Sequence, residues 1–200
     1  MGNNLIHFNT CAISYIVSAT NFHLYKMYDV YKAREVKNGR EDSMTFIINT
    51  DMMNRMMTKT NICQEDRVLM LQVFQLLDVT GFDEVNIRDF LACFALVVED
   101  SLEKRIRNAI NNYYRDRESC SKKEVLWLMK LLNNTCYFFG DKKLIDSQVG
   151  DLVDSIFTLA GKLDGSLTAE ETYDLLISHP ILEMFISMQY QGTDRSVVEA

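Results

Sequence analysis

Residues 78–90 read DVTGFDEVNIRDF, and the fold turns on how this stretch is read. A twelve-residue calcium loop between two helices places oxygen ligands at positions 1, 3, 5, 9 and 12, a backbone carbonyl at 7 and a glycine at 6 for the sharp turn. Counted from Asp78, the stretch offers Thr80 at position 3, apolar Val85 at 8, Asn86 at 9 and Asp89 at 12. Phe82 stands where the fifth-position oxygen belongs, Asp83 replaces the glycine, and Asp89 is shorter than the Glu that clasps a metal through both oxygens. The frame is present and the cage is damaged, with Phe82 expected to obstruct it.

The flanks are helical. Met70, Val73, Phe74 and Leu77 recur at three- and four-residue spacing before the loop, and Phe90, Cys93, Phe94 and Val97 do so after it. The same pattern returns with Ile106 and Ile110 before, and Val125, Leu128, Met129 and Leu132 after, a polar stretch. It returns again with Leu152, Ile156 and Leu159, then Tyr173, Leu176 and Ile177. Asp100 with Glu103, and Thr168 with Glu171, have the spacing of a capping box. Pro180 suits the first turn of a last helix over about 180–188. Ahead of all these, a helix over 22–36 leads through polar residues to another that begins near Thr50. Four helix-loop-helix units are therefore expected.

Scored as cation sites, the other three loops are worse. In the third, Cys120 at position 8 and Glu124 at 12 put Tyr113, Arg115 and Arg117 at positions 1, 3 and 5, and two guanidinium groups in a cage repel a cation. The fourth, AGKLDGSLTAEE, keeps Asp164, Gly165, Leu167 and Glu171 at positions 5, 6, 8 and 12, but has Ala160 and Lys162 at 1 and 3; its turn is expected to outlast its affinity. In the first, Ile47 at position 8 and Asp51 at 12 leave Arg40 at position 1 and no readable ligand series. The expectation is no cofactor, with weak Ca²⁺ or Mg²⁺ binding at 78–89 the one opening.

Composition narrows the function classes. With 48% apolar residues in 200, one Pro and eight Gly, the chain reads as all-α with a sizeable core. A net charge of -7 without a Lys/Arg block argues against a nucleic-acid partner. Cys11, Cys63, Cys93, Cys120 and Cys136 form no CxxC pair and read as free thiols in a reducing, cytoplasmic compartment, so the sequon at Asn133 is taken as accidental. Met1-Gly2 opens like a myristoylation signal but has Ile6 where Ser or Thr is wanted, so no stable membrane anchor is expected. His7, His23 and His179 lack ligand-spaced companions and read as structural; no nucleophile motif or phosphate loop points to an enzyme.

The four-unit layout, SLEKRIRNAI after Asp100, and HPILEMF over His179 to Phe185 resemble the neuronal calcium sensor and calcineurin B branch of the EF-hand superfamily, and within it the calaxin group. The resemblance spans about residues 20–187. It implies two lobes of paired units, 1–99 and 100–190 with a terminal helix, before a flexible tail at 191–200. Paired loops in the superfamily share a short antiparallel contact at position 8. Asp78, Asp89, Glu124, Asp164 and Glu171 stand at its ligand positions as vestiges.

The resemblance also implies a protein that binds an amphipathic helix or coiled coil of a docking complex, fixing outer dynein arms to doublet microtubules in the ciliary or flagellar axoneme. The alternative is a calcineurin B-like or calcium-sensor-like regulatory subunit of an enzyme or channel. Partner contacts are expected at Met53, Met57, Leu126, Trp127, Leu131, Ile181 and Phe185. The cluster Met52, Met53, Met56 and Met57 reads either as an adaptable groove or as two core and two exposed side chains. Trp127 is expected to face away from the core, as an interface anchor or packed under the last helix.

Overall fold

The structure, a computed structural model of the chain, describes residues 18–38, 46–98, 100–139 and 143–180. The stretches 1–17, 39–45 and 181–200 lie outside it, and with them the expectations for Gly2, His7, Cys11, Arg40, Ile181, Phe185, the terminal helix past Pro180 and the tail. The described residues are mostly helical, as the composition requires.

In chain order the elements are α1 (Asn21–Lys37), β1 (Ile47–Ile48), α2 (Thr50–Lys59), α3 (Gln64–Leu77), β2 (Val85–Asn86), α4 (Ile87–Ala95), α5 (Leu102–Tyr113), β3 (Cys120–Ser121), α6 (Lys122–Phe138), α7 (Asp146–Leu159), β4 (Ser166–Leu167) and α8 (Ala169–Ile177). Each two-residue strand lies just ahead of a helix. β1 pairs antiparallel with β2 and β3 with β4, so the loops meet in twos.

The register corrects one alignment. Cys120 faces Leu167, as the loop count requires, but Val85 faces Ile48 rather than Ile47. Ile48 is 1% exposed and Ile47 41%. Two adjacent isoleucines offered a choice that burial decides, because successive strand residues point to opposite faces. Position 8 of the first loop is therefore Ile48, which moves position 12 from Asp51 to Met52, a side chain with no oxygen.

Cap chemistry sets the helix starts. Thr168 and Glu171 exchange hydrogen bonds as the spacing predicts, with Thr168 N–H donating to Glu171 Oε2 at 2.9 Å and Glu171 N–H to Thr168 Oγ1 at 3.2 Å. At α5 the cap lies one residue later than expected. Ser101 Oγ accepts from Lys104 N–H, while Asp100 takes the Ser101 N–H at 3.0 Å and pairs with Lys104. α7 ends in a Schellman turn: Gly161 takes φ 66°, its N–H donates to Thr158 O, and Lys162 N–H reaches Phe157 O.

α4 is the centre of the molecule. Its IRDFLACFA run is apolar on nearly every side, so it buries all round and packs against α1, α3, α5 and α6. Phe90 stacks on Phe94 at 6.1 Å and lies 6.4 Å from Phe74. Residues on both sides of position 99 contribute to one buried cluster. Met52, Met53, Met56 and Met57 all belong to it, at 3% exposure or less. The reading of two core and two exposed side chains does not hold; positions i, i+1, i+4 and i+5 form one broad face, and that face is core. Among the described residues no helix is long and apolar enough to cross a membrane.

Candidate functional site

The candidate site is the set of loops, because the fold brings them together in pairs. In the second loop, Asp78, at the expected first ligand position, accepts a hydrogen bond on each carboxylate oxygen from its own loop. Its Oδ2 accepts the Asp83 N–H at 2.9 Å and its Oδ1 the Thr80 hydroxyl at 3.1 Å. Slight desolvation pushes the Asp78 acid up, but hydrogen bonds from Asp83, Thr80, Gly81 and Glu84 outweigh it and hold the acid below its ordinary value. Gly81 and Asp83 both take left-handed φ, 70° and 59°, and Asp can do so at modest cost. Asp83 Oδ1 also accepts the Thr50 N–H at 3.0 Å and the Thr50 hydroxyl, tying this loop to the start of α2.

The rest of the second ligand set is dispersed. Asn86 caps α4, accepting the Arg88 N–H at 2.9 Å. Asp89 turns to α6, where its Oδ2 accepts the indole N–H of Trp127 at 3.0 Å; burial raises its pKa against the effect of that bond. Phe82 does not obstruct the loop as expected. It is 79% exposed and points to solvent.

In the third loop the two arginines part company. Arg117, at position 5, donates from Nη1 to Glu124 Oε1 at 3.0 Å, while Glu124 Oε2 takes the Ser121 N–H at 2.8 Å and hydroxyl at 2.7 Å. The Ser121 bonds first, and then the Arg117 charge, hold the Glu124 acid below its ordinary value. Arg115 is not turned into a cage with Arg117: its guanidinium lies over the rings of Tyr25 and Tyr28, at 4.2 and 4.8 Å. Asp116 Oδ2 accepts the Tyr28 hydroxyl at 2.7 Å and the Lys32 ammonium at 3.0 Å. Burial, and then the bond to Asp116, push the Tyr28 phenol up to about 12. The third loop is thus a clasp on α1.

The fourth loop is closed from within. Lys162 Nζ, at position 3, reaches Glu171 Oε1 at 2.7 Å and Oε2 at 2.9 Å. Both carboxylate oxygens are held by one ammonium, and this Lys162 partner is the main cause that keeps the Glu171 acid low. Asp164 is exposed at position 5. Gly165 is not left-handed; the glycine that uses its freedom is Gly161, at the end of α7. A turn does form over 162–165, closed by Gly165 N–H on Lys162 O at 2.9 Å, without a left-handed φ at Gly165.

Among the described residues, no three His, Cys, Asp or Glu side chains are grouped to hold a metal ion. Of the expected partner contacts, Met53 and Met57 are fully buried, Leu131 is 8% exposed, Leu126 packs half-buried on the core, and Trp127 is 49% exposed with its N–H engaged by Asp89. His23 helps cap α1 and His179 Nε2 lies 3.1 Å from Ser155 Oγ, both structural roles. Sequence reasoning missed Tyr28, Lys32 and Asp116 as a group, since no local pattern joins residues 88 apart.

No family model matches the chain, and no curated protein matches it.

Proposed function

We propose that the chain is an EF-hand protein with two pairs of degenerate units, about 1–99 and 100–190, in which protein atoms have taken over the work of the metal. The observation that carries this reading is the ammonium of Lys162 on both oxygens of Glu171, with Arg117 on Glu124 beside it. The position-8 contacts Ile48–Val85 and Cys120–Leu167 support it, being the antiparallel pairing that the superfamily uses. The third and fourth loops carry their own cation and the second is closed by the Asp83 amide and Thr80 hydroxyl on Asp78, so the flanking helices keep one angle at every calcium level. Such a molecule acts as a fixed adaptor.

The partner class follows from the resemblance: an amphipathic helix or coiled coil of a docking complex, with the axoneme and outer dynein arm attachment as the setting. The experiment has two parts. Emission of Trp127, the single tryptophan, is recorded in chelator and in millimolar calcium; no shift is expected, and a shift with exposed apolar surface means a sensor instead. A tagged chain is followed in ciliated cells. Retention on demembranated axonemes is expected, and complete release into the detergent fraction contradicts the axonemal assignment.

A further inference from the structure

The tip of the second loop presents chemistry that closing the loop does not use. Val79 is 83% exposed and Phe82 79%, the highest values for large hydrophobic side chains among the described residues. The backbone between them is held. Gly81 N–H donates to Asp78 O and Asp83 N–H to the Asp78 carboxylate, while the Asp83 carboxylate accepts the Thr50 N–H at the start of α2. The backbone that carries the two side chains is therefore set before any partner arrives, which lowers the entropy lost on binding. Aromatic groups presented in this way are the usual anchors of protein interfaces.

The surrounding charge states what kind of surface fits. Asp78, Asp83 and Glu84 flank the two apolar side chains. The bonds to Asp78 and Asp83 come from amides and hydroxyls, and no Lys or Arg pairs with any of the three among the described residues. Their negative charge is thus left for an outside cation, in a chain of net charge -7. An anionic membrane or a nucleic-acid backbone is repelled by it.

We propose that Val79 and Phe82 form a docking knob that enters an apolar socket rimmed by lysine or arginine on a partner protein. The proposal rests on the adaptor reading and names its contact. The residue that spoils the ligand series at position 5 then supplies the anchor.

The test places a benzophenone crosslinking amino acid at position 82 of the full chain, and in a second version at exposed Leu159. Both are irradiated in ciliated cells. The protein joined at position 82 is then made recombinantly and titrated against the unmodified chain and the Val79→Ser/Phe82→Ser and Glu84→Lys chains. The expected result is a joined segment with apolar residues flanked by Lys or Arg. The serine pair should weaken affinity at least about tenfold, Glu84→Lys should weaken it in the same direction, and added salt should lower it. Thermal midpoints should stay near that of the unmodified chain, since the altered side chains are exposed.

An affinity unchanged by the serine pair, or a product at position 159 with none at 82, overturns the knob and leaves the adaptor reading standing. No product at either position, with no protein retained on the purified chain, removes both. Binding to vesicles of phosphatidylcholine and phosphatidylserine that the serine pair abolishes overturns the knob in favour of a lipid surface.

Discussion

Lys162 lies on both carboxylate oxygens of Glu171, at 2.7 and 2.9 Å, nine residues further along the same loop. Under the proposed reading, these are positions 3 and 12 of a cation loop, joined without a cation from outside. The pair is part-exposed, so its contribution to stability is small, about 0.2–1 kcal/mol. Its effect on charge is larger: the Glu171 carboxylate is neutralised by the Lys162 ammonium. Lys162→Gln should lower the thermal midpoint by no more than a few degrees and create no calcium site, because Ala160 still leaves position 1 empty of oxygen. Calorimetry of the variant with and without calcium checks both halves.

Asp116 should matter more for stability. Its carboxylate is the acceptor for the Tyr28 hydroxyl, on a side chain that is 1% exposed, and it pairs with Lys32. Asp116→Ala leaves that buried hydroxyl without its partner, at a cost of about 1–3 kcal/mol, and also places alanine at φ 58°. Asp116→Asn keeps an acceptor and tolerates the left-handed backbone, so its loss should be the smaller of the two. Urea midpoints compared at neutral pH measure the difference.

Acid pH should act on the loops in opposite senses. Glu171 and Glu124 have acids held below the ordinary 4.5, by Lys162 and by Ser121 with Arg117. Their contribution is present above that value and is lost as pH falls through the lowered folded-state value. Asp89 is raised above 3.8 by burial, so its charged form is the disfavoured one; the contribution of its neutral form is complete below 3.8 and disappears as pH rises through the folded-state value. Asp89→Asn, which keeps an oxygen for the Trp127 N–H, should therefore gain stability relative to the unmodified chain at pH 7 and lose that gain near pH 3. Paired thermal melts across this range test the sign.

The thiols should divide by burial. Burial pushes Cys93 up to about 12, and it has no exposed surface; Cys120 is raised as well and buried. Cys63 and Cys136 are part-exposed. A disulfide reagent without denaturant should modify Cys63 and Cys136 and spare Cys93 and Cys120, as read by mass spectrometry of the digested protein.

What the sequence disclosed follows from how far apart the interacting residues lie. Helix starts such as Thr168 with Glu171, and faces such as Phe90, Cys93 and Phe94, are local patterns and appear in the structure where they were placed. The loop count marks Asp78 and Glu171 as expected ligand positions but does not show Asp83 on Asp78 or Lys162 on Glu171, although those partners are close in sequence. The indole of Trp127 on Asp89 and the hydroxyl of Tyr28 on Asp116 join residues 38 and 88 apart and have no local signature. Ile47 and Ile48 are equally apolar, so only the strand register separates them. The loop count gives the position Phe82 fills and not the direction it faces, which is solvent.

The most direct measurement is a pair of calcium titrations by calorimetry, one on the unmodified chain and one on the chain with Ala160→Asp and Lys162→Asp. The second restores oxygens at positions 1 and 3, frees Glu171, and keeps Asp164 at position 5. The unmodified chain should give no binding heat at micromolar calcium, and the doubly substituted chain should bind with a dissociation constant somewhere between about 10⁻⁶ and 10⁻³ M. Micromolar binding by the unmodified chain, or silence from both, contradicts the account.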